Sequence, residues 1–205
     1  MQKIILASGS PRRSELLKAA GVSFEVLTAD MEERTEKTRP WEVVQELARG
    51  KGHAVRKKLE AGCAGPEEMP EILIAADTIV SLDDEILGKP QDREDAVRML
   101  MKLQGRWHQV YTGVCVLYRK EESPGWKEQL FYEKTEVEFY PADEKRIRKY
   151  VETGEPLDKA GSYAIQGKWM VNVKQIKGDY CNVVGLPVSR LAYETRLHGL
   201  DLGML

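Results

Sequence analysis

Cysteine and histidine are scarce in this chain, and neither is arranged for disulfide or metal chemistry. The three cysteines, Cys63, Cys115 and Cys181, lie far apart and include no CxxC pair. This pattern disfavours a disulfide framework or a thiolate zinc site, and it predicts small buried cysteines in a protein of a reducing compartment. The three histidines show no HExxH-type spacing, which leaves metal binding through imidazole without support.

Long hydrophobic runs and an excess of one charge are also lacking. The longest apolar stretches, such as residues 4–7 and 72–76, are too short to span a bilayer or form the core of a signal peptide. The 31 lysines and arginines nearly balance the 33 aspartates and glutamates, for a formal charge of −2. That balance argues against a basic nucleic-acid coat protein. We therefore expect a soluble, cytoplasmic protein that binds neither membranes nor nucleic acid.

What remains is an ordinary globular composition. The 205 residues are 42% hydrophobic and 31% charged, which argues against disorder. This length suits one domain or two small lobes, in which about 70% of the unfolded surface could be buried without disulfide bonds.

Apolar periodicity and turn residues predict alternating strands and helices first, and hairpins later. The predicted strands cover residues 3–7, 23–28, 72–76, 79–82, 86–87, 107–118 and 129–139, with a polar turn at 120–127. The predicted helices cover residues 11–20, 40–59, 92–103, 143–153 and 187–198. Ser10 before Pro11 is typical of a helix start, and Asp92 with Asp95 resembles a capping box. This order of elements predicts an α/β fold with a mixed sheet.

The segment Ser8-Gly9-Ser10-Pro11-Arg12-Arg13 combines four features that favour phosphate binding. Gly9 lets the backbone pass close to a ligand, two hydroxyls can donate, the helix start presents free N–H groups, and two guanidinium groups add positive charge. The alternative is an ordinary capped helix with two solvated arginines. Arginines in a first turn oppose the helix dipole, and this unfavourable placement favours a ligand anion.

Asp77 follows the apolar run 72–76, where the pattern predicts the end of a buried strand. A carboxylate is costly there unless it holds a metal, a proton or a partner, and strand ends of α/β proteins are common ligand sites. Asp77 is therefore a candidate base or metal ligand, or else it caps a turn beside Thr78. Glu32 and Glu33 could supply a second carboxylate for a hard cation such as Mg²⁺, although such a patch is also typical of a solvated loop.

Two lysines and one glutamine have unusual settings. Lys51 lies on the apolar face of a predicted helix, between two glycines that could break that helix, and Lys89 lies between Gly88 and Pro90. Either ammonium group could reach a phosphate, or it could be an ordinary surface group. Gln166 could bind the edge of a nucleobase through its paired donor and acceptor atoms, or it could belong to a structural loop.

Eight short motifs, taken in order, carry a resemblance to a known family. They are Ser8-Gly9-Ser10-Pro11-Arg12-Arg13, Glu32-Glu33, Ala76-Asp77-Thr78, Gly88-Lys89-Pro90, Tyr111-Thr112-Gly113-Val114, Glu155-Pro156-Leu157-Asp158-Lys159-Ala160-Gly161, Ile165-Gln166-Gly167 and Val184-Gly185-Leu186-Pro187. Over nearly its whole length, the chain resembles the Maf family of nucleoside triphosphate pyrophosphatases.

The resemblance implies hydrolysis of a nucleoside triphosphate to the monophosphate and pyrophosphate with a divalent metal, Mg²⁺ or Mn²⁺. It implies a single Maf-like catalytic domain over residues 1–205. The implied fold is a mixed, strongly twisted sheet flanked by helices, with two lobes around a nucleotide cleft as in inosine triphosphatases. Members are often homodimers. Arg12, Thr78 and Gln166 are similar to the residues of the branch that acts on dTTP and UTP, which implies a house-cleaning activity on these and on modified pyrimidine nucleotides.

The same resemblance implies a role for each motif residue. Asp77 is the catalytic proton acceptor, and Glu33 joins Asp77 at the metal. The implied substrate-binding side chains are those of Ser8, Ser10, Arg12, Arg13, Lys51, Thr78, Lys89 and Gln166. These roles suit the chemistry, because water needs a base, phosphate charge must be offset, and a pyrimidine is recognised by fixed hydrogen-bonding groups.

A second function stays open at the level of the sequence. It is a nucleotide-binding regulator of cell division or septum formation, the role from which the family took its name, with little turnover. A nucleic-acid binder is disfavoured, because the arginines form a point cluster rather than an extended basic stripe with interleaved aromatic residues.

Overall fold

The computed structural model describes residues 2–32, 34–62, 69–120 and 123–204. Its strands are β1 (Ile4–Leu6), β2 (Glu25–Val26), β3 (Ile72–Leu82), β4 (Glu85–Leu87), β5 (Trp107–Lys120), β6 (Ser123–Phe139) and β7 (Val173–Lys177). Its α-helices are α1 (Pro11–Ala19), α2 (Pro40–Gly62), α3 (Arg93–Leu103), α4 (Glu144–Glu152), α5 (Tyr180–Val184) and α6 (Val188–Leu197). Short 3-10 helices cover Glu155–Asp158, Ala160–Ser162 and Lys168–Asn172. Within the described ranges, no helix combines the length and apolar character needed to cross a membrane.

The strands form one seven-stranded sheet of mixed direction. Its order is β2-β1-β3-β5-β6-β7, and β4 pairs with β3 beside this path. β1 runs parallel to β2 and β3, whereas the β3–β4 and β6–β7 pairs are antiparallel. The β3–β4 hairpin turns at Asp83 and Asp84, which both have a positive φ, a conformation that aspartate tolerates. The predicted α/β fold with a mixed sheet and flanking helices is confirmed.

The chain divides into two compact units. The first unit comprises the described residues of Met1–Asp77, Thr112–Tyr132 and Gly185–Leu205. The second unit comprises those of Thr78–Tyr111 and Glu133–Val184. The predicted cleft between two lobes concerns the arrangement of such units, and it stays a prediction.

The strands of the first unit alternate their side chains between two apolar layers, as the period of a strand requires. One layer joins them to α1 and α6 through Leu6, Ile74, Val116, Leu17 and Leu191. The opposite layer joins them to α2 through Ala7, Leu73, Ala75, Leu117, Ala48 and Val55. Because Leu73 and Ala75 face α2, the alternation directs the side chain of Asp77 to the α2 side as well.

Helices α3 and α4 pack against each other in the second unit. The Asp92 carboxylate accepts a hydrogen bond from the Asp95 amide at the start of α3, and Asp143 caps α4 in the same way. The predicted cap at Asp92 is confirmed, and the Asp143 cap is an addition that the structure supplies. Aromatic rings in edge and tilted contacts fill the interior beside these helices, namely His108, Phe139, Tyr150, Tyr163 and Trp169.

Strand β3 is longer than the sequence pattern predicts. The strand was expected to end after Ala76, but it continues to Leu82. Its last residues pair with β4. The strand can continue through Asp77 because the Lys51 ammonium group pairs with the Asp77 carboxylate, which would otherwise be buried without a partner. Asp77 is therefore a residue of the middle of a strand, and the strand-end interpretation is wrong.

Other boundaries also differ. Helix α2 is continuous through Gly50 and Gly52. A Cβ atom on Gly52 would lie 3.4 Å from Cys115 Sγ, an ordinary packing distance, so the predicted break at these glycines is wrong. β2 is shorter than residues 23–28, and β6 begins inside the turn predicted at 120–127.

Cys115 and Cys181 are free thiols, while Cys63 lies outside the described residues.

Candidate functional site

The segment between β1 and α1 holds Ser8 against the sheet. The amide of Ala7 donates to the Ile74 carbonyl at 2.7 Å, which continues the pairing of β1 with β3 up to the buried Ser8. Ser8 Oγ accepts the Ser10 amide at 3.3 Å, so the chain turns tightly around this hydroxyl. Ser10 stands at the N-cap of α1 with Pro11 behind it, as predicted, but its side chain makes no capping hydrogen bond. The Ser10 hydroxyl can therefore serve a ligand.

The two arginines of this segment have different surroundings. Arg13 donates from Nη1 to Ser8 Oγ at 3.0 Å and from Nε to the Gly185 carbonyl at 2.7 Å. Arg13 thereby ties the first turn of α1 to the chain just before α6, and it fixes the Ser8 hydroxyl. The side chain of the half-buried Arg12 makes no hydrogen bond or ion pair with another residue in the part of the chain that the structure describes. Arg12 is the guanidinium that can turn toward an anion.

Asp77 and Lys51 meet on the α2 side of the first unit. Lys51 Nζ donates to Asp77 Oδ1 at 2.5 Å, and the two side chains are 22% and 11% exposed. A carboxylate with so little exposure requires a partner, and α2 supplies it. The second carboxylate oxygen of Asp77 makes no hydrogen bond to another described residue, so it remains able to accept one from water or to bind a cation.

Close packing of α2 against β5 sets the position of Lys51. A Cβ atom on Gly113 would lie 2.3 Å from the carbonyl oxygen of Val44, so only glycine allows the strand and the helix backbone to approach this closely. Val44 lies two turns before Lys51 on the same helix. The glycine of the Tyr111-Thr112-Gly113-Val114 motif thus helps to hold the ammonium group where Asp77 can reach it.

The acidic segment before α2 forms a surface pocket against that helix. The pocket has a volume of about 570 Å³ and is lined by Asp30, Met31, Glu32, Arg34, Glu46, Gly50, His53, Ala54 and Lys57. A Cβ atom on Gly50 would lie 2.7 Å from Met31 Sδ, so the end of the Met31 side chain packs directly against the helix at this glycine. Glu33, the predicted metal ligand, lies outside the described residues.

The predicted residues of the second unit are accessible. Thr78 is half-buried in β3, and Lys89 is exposed, with no ion pair to any residue that the structure describes. Gln166 is exposed at the tip of a turn that a hydrogen bond from the Gly167 amide to the Ala164 carbonyl closes at 3.1 Å. Sequence reasoning assigned no role to Tyr150 or Glu155, which hold the ends of this turn. The available signals were that Glu155 opens one motif and that Gly167 closes another.

A divalent cation fits the donor that Asp77 offers. Mg²⁺ takes oxygen ligands and commonly uses one or two carboxylates together with substrate phosphates. The free oxygen of Asp77 is such a ligand. Across the described ranges, no three histidine, cysteine, aspartate or glutamate side chains cluster as a complete site.

Comparison with known proteins gives consistent matches along the whole chain. The family described as Maf-like protein matches residues 3–196. A protein of Agathobacter rectalis named dTTP/UTP pyrophosphatase is 45% identical over 98% of this chain and 100% of its own length. Proteins with the same name from Lachnoclostridium phytofermentans and Bacillus anthracis are 42% and 45% identical, each over 98% of both chains.

Proposed function

Because this chain belongs to the Maf-like protein family, we propose that it is an enzyme that hydrolyses dTTP and UTP to the monophosphate and pyrophosphate. The observation that carries this function is full-length similarity, at 42–45% identity, to relatives named for this activity. Those names favour hydrolysis over a regulator with little turnover. A house-cleaning role would extend the substrates to modified pyrimidine triphosphates.

Asp77 would act as the general base. Its carboxylate would orient a water molecule and take its proton as the oxygen attacks the α-phosphorus. The bond from the α-phosphorus to the bridging oxygen then breaks, and pyrophosphate leaves. The oxygen of Asp77 that does not bind Lys51 supports this assignment.

Positive and hydrogen-bonding groups would bind the triphosphate. Arg12 and Lys89, which lack ion pairs with described residues, would contact phosphate oxygens, and so would the hydroxyls of Ser8 and Ser10. Arg13 would add charge while holding Ser8 in place. Lys51 would share its charge between Asp77 and the substrate. Offsetting the phosphate charge lets a nucleophile approach.

Glu33 and Asp77 would hold a divalent cation, Mg²⁺ or Mn²⁺, whose charge offsets that of the phosphates when it is bound. The donor chemistry of Asp77 fits a hard cation. Thr78 and Gln166 would recognise the pyrimidine, because a hydroxyl and an amide offer the donors and acceptors that distinguish uracil or thymine from other bases.

The setting of the reaction follows from the substrate and the thiols. We expect a cytoplasmic enzyme, since nucleoside triphosphates are made there and Cys115 and Cys181 are free. Residues 1–205 would act as one catalytic domain of two lobes, and a homodimer is expected from the family resemblance. Neither a nucleic acid nor a membrane is expected as a partner.

A panel of triphosphates tests the proposal. Pyrophosphate release with Mg²⁺ should be fastest with dTTP and UTP, slower with CTP and dGTP, and lost in EDTA. In ¹⁸O-labelled water the label should enter the monophosphate, because the attack is at the α-phosphorus. Absence of pyrophosphate release, or equal rates for all four nucleotides, would contradict the proposed reaction. So would ¹⁸O label that enters pyrophosphate instead of the monophosphate.

A further inference from the structure

The turn that carries Gln166 is fixed at both ends. Ala164 and Gly167 close it through the hydrogen bond from Gly167 to Ala164, and Ile165 is buried beneath it. Gln166 is the exposed residue at its tip. The direction of the Gln166 side-chain amide therefore depends on the groups that hold the backbone on either side of it.

Glu155 holds the end that follows Gln166. Its carboxylate accepts the Lys168 amide at 3.0 Å to Oε1 and 3.2 Å to Oε2. A Cβ atom on Gly167 would lie 2.1 Å from Glu155 Oε1, so glycine at 167 leaves the space that the carboxylate fills. The glutamate of one motif and the glycine of another thus form a single packed contact.

Tyr150 holds the end that precedes Gln166. Its hydroxyl accepts the buried Ala164 amide at 3.2 Å and donates to Glu155 Oε1 at 2.9 Å. The ring of Tyr150 packs on Trp169 with centroids 4.9 Å apart, which fixes the hydroxyl in place. A continuous chain of hydrogen bonds therefore runs from Ala164 through Tyr150 and Glu155 to Lys168.

We propose that Glu155, together with Tyr150, is a positioning residue for base selectivity. It sets the direction of the side-chain amide of Gln166. This inference rests on the proposed function, in which Gln166 recognises the pyrimidine. Hydrogen bonds discriminate between bases only when their donors and acceptors are held in place, and a misplacement of about 1 Å can cost 10²-fold. The carboxylate does not itself touch the base, so its loss should act through the turn.

The test compares Glu155→Ala, Glu155→Gln and Gln166→Ala with the wild type. Glu152→Ala is the matched control, because Glu152 is an exposed acidic residue of α4, three positions earlier. Two quantities are measured: the ratio of kcat/KM for dTTP to that for CTP, and the exchange rate of the Lys168 amide proton by NMR. Tyr150→Phe removes only the hydroxyl, and it serves as the second test if Glu155→Ala does not fold.

We expect Glu155→Ala to lower the dTTP/CTP ratio at least about tenfold, mainly through KM for dTTP, and to speed Lys168 exchange. Glu155→Gln keeps an acceptor oxygen and should restore most of the ratio. Tyr150→Phe should change the dTTP/CTP ratio and the Lys168 exchange rate in the same directions as Glu155→Ala, but by less. Glu152→Ala should match the wild type in both quantities. Gln166→Ala should lower the dTTP/CTP ratio toward one without speeding the exchange of the Lys168 amide proton.

Two results would overturn the inference while leaving the proposed function intact. One is a wild-type ratio in Glu155→Ala although Lys168 exchange is faster and Gln166→Ala loses selectivity. The other is unchanged exchange in both Glu155→Ala and Tyr150→Phe. A wild-type enzyme that hydrolyses CTP as fast as dTTP would instead refute the pyrimidine selectivity of the proposed function, and the inference with it.

Discussion

Lys51 of α2 and Asp77 of β3 form an ion pair, 2.5 Å from Nζ to Oδ1, inside the first unit. The pair joins a helix and a strand that also pack together through Ala48, Val55, Leu73 and Ala75. A polyanionic triphosphate would compete with Asp77 for the Lys51 ammonium. Substrate binding and release of the base would then be linked through one side chain.

Replacing Lys51 with methionine should remove that link while keeping most of the side-chain volume. We expect kcat/KM for dTTP to fall about 10²-fold, because phosphate charge is no longer offset next to Asp77, the proposed base. Lys57→Met, a change of an exposed lysine on the same helix, is the control and should stay within about twofold of the wild type. A Lys51→Met enzyme with wild-type kcat/KM would refute a role for Lys51 in binding phosphate.

The two neighbouring arginines should differ in what they disturb. Arg12→Ala should lower kcat/KM about 10²-fold, because a phosphate-binding charge is lost. It should leave the melting temperature unchanged, because the Arg12 side chain has no partner among the described residues. Arg13→Ala should lower activity and also destabilise the fold by about 2 kcal/mol, because charged hydrogen bonds to Ser8 and Gly185 are lost. Calorimetry and steady-state kinetics on both variants check this. Equal destabilisation by both substitutions would contradict it.

Gly113→Ala should destabilise the protein by about 3 kcal/mol, and lower Tm by roughly 10 °C, since its methyl group would overlap the Val44 backbone. The clash is with backbone, 2.3 Å from the carbonyl oxygen, so a side-chain rotation cannot relieve it. Gly62→Ala at the end of α2 is the control, because a Cβ atom there meets no atom within 4 Å. A Tm for Gly113→Ala equal to that of Gly62→Ala would show that α2 and β5 are further apart.

His108 should make stability depend on pH in the acid range. Burial lowers the pKa of His108 from 6.5 to about 3, and its ring lies against Phe139 and Tyr163. The unfolded chain therefore binds a proton between these two values that the folded chain does not, so stability is complete above pH 6.5 and falls as the pH decreases toward 3.

The expected contribution of His108 is a loss of up to about 3 kcal/mol between pH 6.5 and 4.5. His108→Gln keeps a polar group near Nε2 but cannot titrate, so its unfolding free energy should fall less over the same range. Urea unfolding of both proteins at pH 7.0, 5.5 and 4.5 measures the difference. If the unfolding free energies of the two proteins fell by the same amount from pH 7.0 to 4.5, His108 would not be buried in its neutral form.

Local signals in the sequence were sufficient for helix starts and for the architecture. Ser10 with Pro11, and Asp92 with Asp95, predicted the starts of α1 and α3, because the proline at the first position of α1 and the Asp92 cap of α3 are signals between neighbours in the chain. The continuous apolar run at residues 72–76 predicted the first part of β3. It could not predict that β3 continues through Asp77, because the partner that stabilises this carboxylate lies 26 residues earlier.

Contacts between distant motifs were the other part that the sequence could not supply. Gly113 and Gly167 stand in recognisable motifs, but what each glycine accommodates, the Val44 backbone and the Glu155 carboxylate, appears only once the chain is folded. The separate roles of Arg12 and Arg13 likewise depend on the Gly185 carbonyl, 172 residues from Arg13. Residue types supplied the candidate groups, and three-dimensional packing shows that some of them, such as Arg13, also hold neighbouring segments in place.

We propose that Asp77 is the general base in the hydrolysis of dTTP and UTP. The most direct test of this role is kcat for pyrophosphate release from dTTP with Mg²⁺ in Asp77→Asn, beside Asp84→Asn, which changes an exposed aspartate of the β3–β4 turn. We predict that Asp77→Asn lowers kcat by about 10²-fold or more and that Asp84→Asn keeps the wild-type value. A folded Asp77→Asn protein with unchanged kcat would contradict the account.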